Sequence, residues 1–295
     1  MLDLDIRSGD RIGIIQGTNA ENIVASIASA KIGALLVPFQ DIKTDKDFDR
    51  YLQLFRPRAL MMPTKIGKVD YYRMIREMMP EMRLSDEGQP IKAKKYPFLK
   101  RVMLTDVLLD QNLPGSTRFR DMMLYGPFGY YENPLRRVAM TLTPDAPSMI
   151  LLNGKDINKA KPVVLSQRNL LSAGYIFGSK LGLEQGDRVI VPQYQNSTLG
   201  AVLGNYASLT HAATVVLPCE YWNPNDVLAA IQNEKATAMV ISGTDANALM
   251  NFKDFVKFKF PSLRTIAVDE TASADIIENI KSKFGVQQIV RYVCH

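Results

Sequence analysis

Short apolar runs alternate with helix-period segments along most of this chain, and that alternation constrains the fold more than any other feature. "RIGII" at 11–15 is a β-rich run. After it, Thr18 and Glu21 in "TNAE" have the spacing of a capping box, with Thr18 as the cap. "NIVASIASAKIG" then carries apolar residues at helical spacing up to Gly33, which terminates the helix. "ALLVPF" predicts the next strand, and a helix over about Asp45 to Phe55 stops at Pro57. "RALMMP", "KVDYYRMIREMM" and "KRVMLT" predict strand, helix and strand. Strands linked by helices pair in parallel and require cover on both faces, so the class is α/β.

The rhythm breaks over 106–147, where Pro114, Gly115, Gly126, Pro127, Gly129, Pro134, Pro144 and Pro147 crowd together. Such a segment reads as a linker or wrapping stretch. Alternation resumes with the strand "SMILL", the helix "RNLLSAGYIFGSKLG" and the strand "RVIVP". A helix over about 198–209, then "ATVVLP", follow. A helix opened by Asn223 and Pro224 leads to "ATAMVIS", a short helix near 245–251, "RTIAV", "ADIIENIKSKFG" and "QQIVRYV". The expected organisation is a first α/β lobe at 1–105, an irregular linker at 106–147 and a second α/β lobe at 148–295.

Apolar residues make up 46% of the 295 and charged residues 22%, which excludes a chain disordered as a whole. No stretch approaches the run of about 18 apolar residues that a membrane helix needs. The opening "MLDLDIRSGDR" reads as neither a signal peptide nor an Arg-rich transit sequence. Residues 1–143 hold 22 basic and 17 acidic side chains, residues 144–295 hold 14 and 13, so the excess of positive charge lies in the first half. It concentrates in "KAKKYPFLKR", where Lys92, Lys94, Lys95, Lys100 and Arg101 offer a surface for RNA, acidic lipid or an acidic protein, or simply a solvated loop. "FKDFVKFKF" at 252–260 interleaves bases with aromatics as single-strand binders do, but its alternation fits phenylalanines inside and lysines outside.

Cys219 and Cys294 form neither a metal spacing nor a disulfide framework. A Ser–His–Asp or Cys–His site would have to use His211 or His295, and His211 reads as structural, at a helix-to-strand turn. Trp222, before a helix cap, reads as a buried anchor. The most telling stretch is "LLNGKDINKAKPVVLSQRN" at 151–169. It has the outline of a phosphate loop, with a strand before, a helix after and small and basic residues between, yet it contains one glycine, Gly154, and no threonine.

Four stretches together resemble the N-terminal domain of the adenylate-forming superfamily, which contains acyl-CoA synthetases, luciferases and peptide-synthetase adenylation domains. They are "SGDRIGIIQGTNAENIVASIASAKIGALLVPF", "KPVVLSQRNLLSAG", "AATVVLPCEYWNPNDVLAAIQNEKATAMVISGT" and "FPSLRTIAV". "RALMMPTKIGKVDYYRMIREMMPEM" is further similar to the mitochondrial medium-chain acyl-CoA synthetase branch known as family member two. The resemblance implies two lobes of mostly parallel sheet flanked by helices, without the later part of that domain and without the C-terminal domain. It also implies a mitochondrial location.

The family's loop is rich in Thr, Ser and Gly, because glycine backbone approaches phosphate closely and hydroxyls and a lysine bind it. Here Asn153 and Gly154 take the place of the opening Thr and Ser, and Lys155 that of a glycine. Asp156 and Ile157 replace two threonines, and Asn158 and Pro162 replace two glycines; only Lys161 is kept. The family's aromatic–His pair falls at Tyr194 and Gln195, and its glycine pair at Val268 and Asp269. Of the Tyr-Gly-x-Thr-Glu motif, whose glutamate holds Mg²⁺, Tyr292 is kept and the sequence stops at His295.

These departures lead to the expectation of a catalytically inactive, acyl-CoA-synthetase-like subunit with a structural or interaction role in a larger assembly. It would have no catalytic residue, no metal site and no cofactor. Two alternatives remain: an acyl-CoA synthetase completed by another chain, which would need ATP, Mg²⁺ and CoA, and an acyl- or CoA-binding module without adenylation.

Overall fold

A computed structural model describes residues 1–15, 17–107, 113–124, 134–153, 160–192 and 197–292. The chain separates into two compact units, one of residues 1–16 and 24–167, the other of 17–23 and 168–295.

The first unit is built on strands β1 (Arg11–Ile14), β2 (Leu35–Pro38), β3 (Ala59–Met62), β6 (Arg101–Leu104), β7 (Thr117–Arg118), β8 (Pro147–Asn153) and β9 (Lys161–Ser166). Their order in the sheet is β7-β6-β3-β1-β2-β8-β9. All neighbours are parallel except β8 and β9. A two-stranded antiparallel ribbon, β4 (Lys65–Ile66) and β5 (Val69–Asp70), stands apart. The helices are α1 (Ala20–Ile32), of which residues 24–32 belong to this unit, α2 (Asp45–Phe55), α3 (Tyr71–Met78), α4 (Phe119–Leu124) and α5 (Pro134–Ala139). Phe48, Tyr51, Leu52 and Phe55 of α2 and Tyr71, Tyr72 and Ile75 of α3 pack with Val37, Leu60, Met62, Val102 and Leu104 of the sheet. That helical spacing of four apolar residues is why α2 buries one face.

Local signals set most helix ends. Thr44 accepts the Asp47 N–H while the Asp47 carboxylate accepts the Thr44 N–H, a capping box that starts α2 at the expected residue. Gly33, with φ of 70°, turns the chain out of α1 as expected. The start of α1 lies one residue later than the TNAE pattern suggests. Asn19 Oδ1 accepts the Asn22 N–H at 3.2 Å, whereas the Thr18 N–H goes to the Glu220 carbonyl at 3.0 Å.

The expected boundary at 148 differs from what is found. Leu36 of β2 pairs with Met149, and β8 and β9 then run antiparallel, so 147–166 complete the first sheet. A sequence pattern shows a strand but not its neighbour, and here the neighbour is more than a hundred residues earlier. The stretch expected to be an irregular linker also contributes: β7 pairs with β6 through Met103↔Thr117.

The second unit carries β10 (Arg188–Ile190), β11 (Thr214–Val216), β12 (Ala238–Ile241), β13 (Thr265–Val268) and β14 (Gln288–Arg291), ordered β11-β10-β12-β13-β14 and parallel throughout. Its helices are α6 (Gln167–Lys180), α7 (Ala207–Thr210), α8 (Pro224–Asn233), α9 (Gly243–Met250) and α10 (Ala274–Phe284), with a π-helical stretch at Thr198–Tyr206 before α7. Side chains alternate across this sheet. Met239, Ile241, Ile266 and Val268 pack with α8, α9 and α10, while Ala238, Val240 and Ala267 pack with Phe177, Leu181 and Leu199. Both faces are covered, as a parallel sheet requires. Asn223 caps α8 and Pro224 opens it, as expected.

Candidate functional site

Open parallel α/β sheets place ligands outside the carboxyl ends of their strands. In the second unit those ends bring Val268, Asp269 and Tyr292 together. Val268, the last residue of β13, is fully buried and registers with Ile241 of β12 and Arg291 of β14. The Tyr292 N–H donates to the Val268 carbonyl at 3.0 Å, and the Tyr292 ring stands edge-on to Phe177 with centroids 5.5 Å apart. Both residues are therefore core.

Asp269 leaves the sheet and reaches the start of α9. Its Oδ1 accepts the Gly243 N–H at 2.8 Å and the Thr271 N–H at 3.2 Å. Thr271 Oγ1 in turn accepts the Thr244 N–H at 3.2 Å, and Ser242 Oγ accepts the Asp245 N–H at 3.1 Å. A helix N-terminus attracts anions because its first amides lack intrahelical partners. Here the first three amides of α9 already have acceptors from the chain itself, one of them a carboxylate. These acceptors satisfy the amides at that helix end. The Ser242–Asp245 spacing was a legible capping pattern; the contribution of Asp269 and Thr271 had no local signal.

In the first unit, Lys161 is exposed and opens β9, its Cα registering with Asn153 at the end of β8. It therefore belongs to an antiparallel hairpin strand rather than to a loop running into a helix. Gly154, Lys155, Asp156, Ile157 and Asn158 lie outside the described residues, as do Tyr194 and Gln195. Among the described residues no group of three His, Cys, Asp or Glu side chains is placed to hold a metal, and no helix is long and apolar enough to cross a membrane.

The basic cluster is less uniform than its sequence. Arg101 is buried, with Nε donating to the Leu4 carbonyl at 3.2 Å and Nη1 to the Gly88 carbonyl, so it is structural and not part of a docking surface. Lys95 pairs with Asp49 at 3.1 Å and lies over the Tyr96 ring. Lys92 and Lys94 are exposed and Lys100 is half-buried. His211 follows α7, with Nδ1 3.0 Å from the Ala207 carbonyl oxygen, Nε2 3.2 Å from Ser179 Oγ and its ring stacked on Tyr175. Those contacts fit its structural reading. Trp222 packs half-buried against the second core.

A sequence model of the family described as AMP-binding enzyme matches residues 1–292. The mitochondrial medium-chain acyl-CoA ligase ACSF2 of Danio rerio is 26% identical over 293 residues, covering 98% of this chain and 47% of that protein. The anthranilate CoA ligase AuaEII, solved with anthranoyl-AMP, superposes with a TM-score of 0.78 at 18% identity, covering all of this chain and 51% of the other. The N-terminal domain of FACL13 from Mycobacterium tuberculosis, solved with an inhibitor, gives 0.77 at 14% identity, covering all of this chain and 65% of the other. This chain spans about half the length of the acyl-CoA ligases it matches. The mostly parallel sheets, their covering helices and a sequence match over nearly every residue make this chain a member of the AMP-binding enzyme family, with an acyl-CoA-ligase-like adenylate-forming fold.

Proposed function

We propose that this chain is a catalytically inactive acyl-CoA-ligase-like subunit with a structural and interaction role in a larger mitochondrial assembly. The structural observation that supports the reading is the start of α9, where Ser242, Asp269 and Thr271 accept from the first three amides of the helix. The sequence of the nucleotide-loop region supports it, since Asp156 adds a negative charge to that stretch where the family has a hydroxyl, and the Ile157 side chain has no hydrogen-bonding group. The mitochondrial name of the ACSF2 relative supports the location. Leu171, Tyr175 and Ile176 are exposed together on α6, in keeping with a face that another subunit covers.

The test is calorimetry with ATP·Mg²⁺, on the chain alone and in the assembly isolated from mitochondria under native conditions. The expected result is no heat at millimolar ATP in either form, and recovery of the chain in fixed ratio to other subunits. Saturable heat that disappears in Lys161→Ala would overturn the reading and favour a synthetase completed by another chain.

A further inference from the structure

Away from the strand ends discussed above, the second unit has a cleft of about 460 Å³ lined by Ile231, Gln232, Lys235, Lys257, Lys259 and Phe260, with Pro261 and Ser262 beside them. The cleft is built by the end of α8 and the loop before β13. The chain leaves α8 through Lys235, whose φ is 50°, while the Ala236 N–H donates to the Ile231 carbonyl at 3.0 Å. Gln232 Oε1 accepts the Lys259 N–H at 2.8 Å, which ties the loop to the helix end. Below, Phe260 is fixed against Phe255 and Phe284 at centroid distances of 5.6 and 5.0 Å. The floor is thus apolar and anchored, and three lysines line the cleft.

Among the described residues no carboxylate lines the cleft. The two nearest in sequence are engaged: Glu234 pairs with Arg188, and Asp254 holds Lys257 at 2.6 Å. Lys235 and Lys259 make no ion pair among the described residues. Ammonium groups gathered on one concavity repel each other, and an anion seated between them removes that cost. The volume suits a small molecule. A phosphate ester carries nearly two negative charges at neutral pH, enough for more than one lysine. A bound nucleic-acid strand is disfavoured because the cleft offers one aromatic side chain, Phe260, whereas strand binding stacks successive bases on several rings.

We infer that this cleft binds a phosphate monoester of a small molecule with a ring or short apolar body, its phosphate held by Lys235 and Lys259 and its body resting on Phe260 and Pro261. The experiment is amide NMR on the full chain, titrated with 4-nitrophenyl phosphate, inorganic phosphate, 4-nitrophenol and a short oligouridylate. The expected result is saturable shifts at the amides of Gln232, Lys259 and Ser262 with the ester. Inorganic phosphate should bind there more weakly and the phenol not at all. Lys235→Glu and Lys259→Glu, both at exposed positions, should each weaken the ester by about tenfold or more. The rest of the spectrum reports whether these variants remain folded. Shifts that do not saturate, or that survive in the double variant, would overturn the site. Tighter binding of the oligouridylate at these amides would overturn the ligand class. ATP calorimetry of Lys161→Ala reports on a different unit, so either reading can fail without the other.

Discussion

The Asp269 carboxylate accepts the Gly243 N–H at 2.8 Å, joining the end of β13 to the first residue of α9. The approach is tight. A Cβ on Gly243 would stand 2.3 Å from the Ala272 backbone nitrogen, a distance that neither backbone can relieve by rotating a side chain. The helix start and the strand end form one closed corner.

Gly243→Ala should lower stability by about 1–3 kcal/mol, the range for forcing an extra methyl into a packed site. Asp269→Ala should cost about 1 kcal/mol, as for loss of a helix cap, and Asp269→Asn less because it keeps an acceptor. Urea midpoints at neutral pH measure all three. An unchanged midpoint in Gly243→Ala would mean that the corner is looser than described.

Gly174 offers a test in which local and tertiary effects have opposite signs. Inside α6, replacing glycine by alanine gains about 1 kcal/mol of helix propensity. A Cβ there would lie 2.6 Å from the carbonyl carbon of Tyr206. Net destabilisation of Gly174→Ala is expected by thermal melting, with α6 pushed off the stretch before α7. Net stabilisation would count against that packing.

Asp187 should set part of the acid limit of the fold. Burial pushes its carboxyl up, but hydrogen bonds from Arg264, the Glu184 N–H and Thr237 outweigh it and leave the group below its ordinary value. Arg264 holds it from two nitrogens at 2.8 and 2.7 Å. A carboxyl lowered on folding contributes stability above its unfolded value of about 3.9, and that contribution is lost as pH falls through the folded value. Arg264→Ala should cost about 2 kcal/mol at neutral pH and flatten the fall in urea midpoint below about pH 4. An equal loss at neutral and acid pH would refute the assignment.

Tyr96 should act at the alkaline end. Burial, with its O–H donated to Asp49 at 2.6 Å, pushes its hydroxyl up to about 12. A group raised on folding contributes fully below its unfolded value of about 10, and the contribution is lost as pH rises through the folded value. Stability should therefore decline between about pH 10 and 12, and decline less in Tyr96→Phe. Urea midpoints across that interval, with tyrosinate absorbance followed in parallel, measure it.

The sequence reading and the structure part along a physical line. Caps, turns and periodicity act within a few residues, so Gly33, Asn223 and the span Asp45–Phe55 were readable directly. Arg101 belonged to a basic run by composition, yet its guanidinium is turned inward by carbonyls of Leu4 and Gly88. Lys161 looked like the end of a loop, yet pairing with β8 makes the residues after it a strand.

By itself the sequence determined the α/β class, the succession of strands and helices, the family resemblance and the altered composition at Asn153, Gly154 and Asp156, because each depends on residue type and local spacing. Tertiary structure alone decided that 147–166 complete the first sheet, that Asp269 closes α9, and that Lys235, Lys257 and Lys259 share one cleft. Each of these is a meeting of backbone or side chains distant along the chain, fixed by strand pairing and core packing that no local pattern encodes.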